Sequence, residues 1–117
     1  MSRFFSRGLR IAALAAGLSL LTAAASAHQL MVFAAVEGQE VLVETKFSNG
    51  KVPKTGTVTV YDGEDKVVGT HALSPDGTAR FPLKHAESGL RIEVSTGEGH
   101  DNYWVLTPDD IAKASSN

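Results

Sequence analysis

Cysteine is absent from all 117 residues. That excludes disulfides, thiolate zinc sites and cysteine nucleophiles together. Any metal the protein binds must be held by histidine, carboxylate, methionine, amide or main-chain groups. Tryptophan occurs once, and a lone Trp104 in an apolar strand is expected to plug the core rather than stack on a sugar. Catalytic signatures are missing as well: no Gly-x-Ser-x-Gly elbow, no His-Glu-x-x-His helix, no phosphate loop and no close carboxylate pair in an acid–base context. The chain therefore reads as a non-enzyme. It shows no internal repeat and no helical period long enough for a bundle or a βαβ unit.

Basic residues open the chain without any acid beside them. Arg3, Arg7 and Arg10 precede an apolar run over 11–25, and Ala25-Ser26-Ala27 closes it. This is the n-region, h-region and small-residue cleavage site of a secretory leader. Residues 1–27 are thus expected to be removed, giving a periplasmic or otherwise extracytoplasmic protein. The alternative, a retained anchor, asks for about 20 apolar residues, more than this run supplies. Of the 117 residues, 90 would remain, enough for one domain with one core. Eleven basic residues face thirteen acids in the whole chain, and loss of three arginines leaves eight against thirteen. Such an acidic surface argues against nucleic acid and against anionic membranes as partners. No direct membrane insertion is expected after cleavage.

Short runs of period-two alternation fill the mature sequence, separated by Gly, Pro, Asn and Asp. Seven strands are expected, over 30–36, 40–47, 57–61, 66–73, 78–83, 90–95 and 102–106. The first is nearly all apolar, as for a strand covered on both sides or one entering the core. In the second, Val41, Val43, Thr45 and Phe47 share one face. Asn49-Gly50 and Ser74-Pro75-Asp76-Gly77 are turns with a mechanism, since glycine accepts positive φ and proline presets its own. A short helical turn can follow Thr107-Pro108, too small to matter to the core. The fold expected is all-β: a single seven-stranded antiparallel Greek-key sandwich, immunoglobulin-like in architecture, over 28–107, with a tail over 108–117.

Cutting after Ala27 makes His28 the first residue. A terminal histidine carries an α-amino group and an imidazole that can close one chelate ring on a transition metal. Their pKa values, about 8 and about 6.5, let a metal displace both protons near neutrality. A second donor is expected from Gly97-Glu98-Gly99-His100-Asp101, where two glycines allow close approach and three metal-capable side chains fall together. In a seven-strand sandwich that loop can lie at the same end as the start of the first strand, bringing His100 to His28. Glu98 and Asp101 are then outer ligands or partners that hold an imidazole tautomer. His71, within a strand, is a weaker candidate, and His85, in a polar connection, weaker still. Met31 could add a thioether, although a methionine in an apolar strand is usually packed in the core. Nitrogen-rich sites favour copper over nickel, cobalt and zinc on affinity alone.

The opening His28-Gln29-Leu30-Met31-Val32-Phe33-Ala34, directly after a leader, resembles the small periplasmic accessory proteins of energy-coupling-factor type nickel and cobalt uptake systems. So does the late Gly97-Glu98-Gly99-His100-Asp101 followed by Trp104. The middle, Gly56-Thr57-Val58-Thr59-Val60-Tyr61-Asp62 with Asp76-Gly77-Thr78-Ala79-Arg80-Phe81, is shared with carboxypeptidase-regulatory-like sandwiches and is less specific. The resemblance implies an extracytoplasmic protein that captures or delivers Ni²⁺ or Co²⁺ to membrane transporter components, with His28 and His100 as ligands. The chain lacks the second membrane segment of fuller members, so it would dock as a soluble partner. Two alternatives stand beside this reading. One is a periplasmic Cu²⁺ carrier using His28, His100 and Asp101, although the proline- and glycine-containing segment expected after the terminal histidine is missing. The other is a structural sandwich module that binds no metal.

Overall fold

The computed structural model describes residues 28–115; the expected leader, 1–27, and the last two residues lie outside the described part. Seven strands and one helix follow in order: β1 (Leu30–Glu37), β2 (Glu40–Phe47), β3 (Thr57–Asp62), β4 (Val67–Ala72), β5 (Thr78–Pro82), β6 (Leu90–Ser95), β7 (Asp101–Leu106) and α1 (Pro108–Ser115). They form a three-stranded sheet, β1-β2-β5, and a four-stranded sheet, β4-β3-β6-β7, antiparallel throughout. The chain crosses from one sheet to the other three times, between β2 and β3, β4 and β5, and β5 and β6. The expected all-β sandwich is what the chain forms.

Alternation explains the core. Val41, Val43 and Thr45 face inward from β2, Val58 and Val60 from β3, Ala79 and Phe81 from β5, and Leu90, Ile92 and Val94 from β6. Each pairs in register with residues of the same face, so one slip would turn a whole hydrophobic row to solvent. Among the described residues Thr45 is the one buried polar side chain, and its hydroxyl donates to the Gly77 carbonyl at 2.6 Å. Gly77 holds positive φ in the β4–β5 turn, and Asp76 caps that turn by accepting from the Thr78 main chain and hydroxyl.

Three expectations about individual residues are corrected. β1 is an edge strand that alternates buried and exposed rather than one covered on both faces, and Met31 and Phe33 are each 48 % exposed. The cause is that β1 has a sheet neighbour, β2, on one side only and an outer face covered only in part, by Trp104 against Phe33. Trp104 does not plug the core. It stands at register with Ile92 on the edge strand β7 and leans out over Phe33, ring centroids 5.0 Å apart and edge-on. The tail matters more than its length suggests, because Ile111 of α1 packs against the core. Thr107 caps this helix, its hydroxyl accepting from the Asp110 N–H while the Asp110 carboxylate accepts from the Thr107 N–H. Among the described residues no helix is long and apolar enough to cross a membrane.

Candidate metal centre at the strand-start end

The first and last strands meet along one side of the sandwich. Asn102, facing inward from β7, donates its side-chain N–H to the Leu30 carbonyl at 2.9 Å and accepts the Tyr103 N–H. Gln29 is tied by two bonds to Ser48, the residue that follows β2: its N–H donates to Ser48 Oγ, and its carbonyl accepts the Ser48 N–H at 2.8 Å. The chain is thus fixed from Gln29 onward, and exposed His28 stands one residue before the first of these ties.

His100 reaches the same end from the other sheet. The loop between β6 and β7 turns through three successive residues of positive φ, Gly97, Glu98 and Gly99. Its closing bond runs from the His100 N–H to the Gly97 carbonyl, and Thr96 returns two donors to the His100 carbonyl. This is the left-handed turn geometry that matches strand twist, and glycine takes it without strain. Glu98 takes it at a cost. The result places the half-buried His100 ring edge-on against Phe47, centroids 5.4 Å apart. Phe47 is the register partner of Leu30. His28 and His100 therefore belong to one end of the sandwich, with Phe47 and the Leu30 main chain between their strands.

The other candidates do not join them. Asp101 is next to His100 in sequence but pairs with Ser95, and it faces the outer side of the four-stranded sheet with Thr57, Thr59 and Glu93. Successive strand residues point to opposite faces, so a strand that aims Asn102 inward must aim Asp101 outward. Glu98 is exposed at the loop tip. His71 lies across the molecule, filling the seam beside β5, where its ring stacks on Phe81 at 4.5 Å and 4°. His85 is exposed in the connection before β6, at the opposite end. Met31 faces outward from β1. Among the described residues no three His, Asp or Glu side chains stand together as a cage for one ion. A nitrogen site at this end would rest on the two imidazoles of His28 and His100 and on the amine that cleavage would free. The amine is the chemistry that makes two residues sufficient for three donors.

The outer face that Asp101 shares is already internally satisfied. Arg91 lies over the Tyr61 ring at 4.3 Å and pairs with Asp65, while Glu93 stands beside it. Hydrogen bonding to Glu93 raises the Tyr61 phenol above its usual value, and Asp65 raises the Arg91 guanidinium. Sequence reasoning missed Asn102 and Phe47, the two residues that hold this end together. The one available signal was Asn102 itself, a polar residue on the face that Trp104 and Leu106 otherwise make apolar. Comparison of the chain with known families, curated proteins and solved structures finds no match.

Proposed function

We propose that this is an extracytoplasmic metal-binding accessory protein that helps a membrane transporter take up nickel or cobalt. One observation supports the reading above the rest: His100 packs against the register partner of Leu30, at the end of the sandwich where the chain enters from His28. The ties at Gln29 and Leu30 hold the chain there, so a terminal chelate would be preorganised rather than frayed. Ni²⁺ or Co²⁺ is cargo in this reading, bound by the His28 amine and imidazole with His100 as a further nitrogen donor.

The test is calorimetric titration of the exported form, its first residue confirmed as His28 by mass spectrometry, with Ni²⁺, Co²⁺ and Cu²⁺. A form with one extra residue before His28 is titrated alongside. Tight Ni²⁺ or Co²⁺ binding that the extra residue abolishes is the expected result. Preference for Cu²⁺ beyond the ordinary affinity order would mean a copper carrier. Absence of binding in both forms would leave a sandwich module that works through protein contacts.

A further inference from the structure

Edges of sheets are open invitations to pairing, and among the described residues this fold guards all but one of them. β1 and β7 cover each other through the Asn102–Leu30 bond and the Phe33–Trp104 contact. β5 carries Pro82 and the ion-paired Arg80. β4, the remaining edge, reads Val67-Val68-Gly69-Thr70-His71-Ala72, with no proline and no formal acid or lysine.

Its register says which groups are left over. The Leu73 N–H donates to the Gly56 carbonyl, so the bonded pairs toward β3 are His71 with Val58 and Gly69 with Val60. Thr70 and Ala72 alternate with these and turn their N–H and carbonyl groups away from the sheet. No partner among the described residues takes them.

Beside this edge lies a groove of about 180 Å³ in the seam between the sheets, walled by Val60, Val68, Phe81 and Leu90, with the His71–Phe81 stack along it. Gly69 leaves room for the imidazole: a Cβ there would stand 3.0 Å from His71 Nε2. The one charged residue lining the groove is Lys84, which has no ion pair among the described residues. Free ladder groups, an apolar slot one side chain deep and an unpaired cation at its rim make a complementary set.

We propose that β4 accepts an extended segment of a partner protein as an added strand. The segment's main chain pairs with Thr70 and Ala72, an aliphatic side chain enters the groove beside the His71–Phe81 stack, and a neighbouring carboxylate meets Lys84. Main-chain bonds supply affinity in this mode and the slot supplies specificity. A second copy of the chain fits less well, because two-fold pairing of β4 with itself brings Lys84 no carboxylate from β4.

The probe is the capped peptide Thr-Val-Thr-Leu-Thr-Glu-Thr, added to the ¹⁵N-labelled exported protein up to about 5 mM. A Kd of about 1 mM or tighter is expected for so short a strand. Amide exchange at Thr70 and Ala72 should slow at least about tenfold at saturation, with shift changes at Val68 and His71. Thr70→Pro removes only the outward N–H, an edge position that tolerates proline, and should abolish binding while thermal unfolding stays cooperative. Lys84→Glu should weaken the peptide about tenfold, and a peptide with Lys in place of Glu should recover the loss. Binding that leaves Thr70 and Ala72 exchange unchanged, or that survives Thr70→Pro, would overturn the proposal. So would no binding at 5 mM, or protection of β4 through self-association without peptide.

Discussion

His100 lies edge-on against Phe47, 5.4 Å between ring centroids, and so couples the last hairpin of one sheet to the first hairpin of the other. The contact gives His100 a ring-packing role that is separable from the nitrogen donation proposed for it. His100→Phe keeps the first and deletes the second. Its unfolding free energy should stay within about 1 kcal/mol of the parent. Its Ni²⁺ or Co²⁺ affinity should fall at least about tenfold, or about 1.4 kcal/mol. Urea unfolding and calorimetry on the same preparation check both halves, and unchanged metal affinity would remove His100 from the site.

The Thr45 hydroxyl is buried and bonded to the Gly77 carbonyl at 2.6 Å. Thr45→Val preserves shape and deletes that bond. The Gly77 carbonyl keeps the Thr45 N–H as a donor, so the loss should be about 1 kcal/mol rather than the full cost of an orphaned acceptor. The midpoint of urea unfolding at constant slope measures it.

Gly56 is required by closeness rather than by turn geometry. A Cβ there would stand 2.7 Å from Leu73 Cδ1 and 2.9 Å from the Ser95 carbonyl oxygen. The second contact is backbone at the end of the interior strand β6 and has little freedom to give. Gly56→Ala should destabilise by about 1–3 kcal/mol, with Leu73 methyl shifts displaced in the NMR spectrum.

Three turn carboxylates sit below their ordinary pKa in the fold. Asp62 is lowered chiefly by accepting the Lys66 N–H and then that of Glu64, Asp76 by the Thr78 hydroxyl and N–H, and Asp110 by the Thr107 N–H and hydroxyl. A lowered folded-state pKa means that the unfolded chain binds more protons. The stability these groups add is complete above the ordinary carboxylate range and is lost as pH falls through their folded values. Urea midpoints should hold down to the ordinary carboxylate range and drop below it. In the double variant Asp62→Asn, Asp76→Asn the drop should be shallower, and an unchanged acid limb would assign the effect elsewhere.

The strands were legible because their side chains alternate. Val43-Glu44-Thr45 and Leu90-Arg91-Ile92 write the inner and outer faces directly into the sequence, and the β2 and β6 bounds match the expected 40–47 and 90–95. Edge position was not legible. Met31, Phe33 and Trp104 are apolar, and nothing in their neighbourhood says that β1 and β7 would each lack a neighbour on one side. Asp101 misled for a related reason: sequence proximity to His100 suggests a shared site, while the strand period assigns the two to opposite faces. That His100 shares an end with the chain start was legible from strand count and order, while the His100–Phe47 contact and the Asn102–Leu30 bond that fix it join residues far apart in sequence, which composition and spacing do not encode.

The Asn102–Leu30 bond spans 72 positions of sequence. A chain made from its N-terminus has its opening strand, β1, in hand long before β7, the strand that latches it. The seam can close only when almost the whole domain has arrived. Contacts of such separation form slowly, because the intervening loop must be closed before they reward it. The fold thus carries a built-in delay: the seam between β1 and β7, and with it the His100 end of the sandwich, closes among the last events of folding.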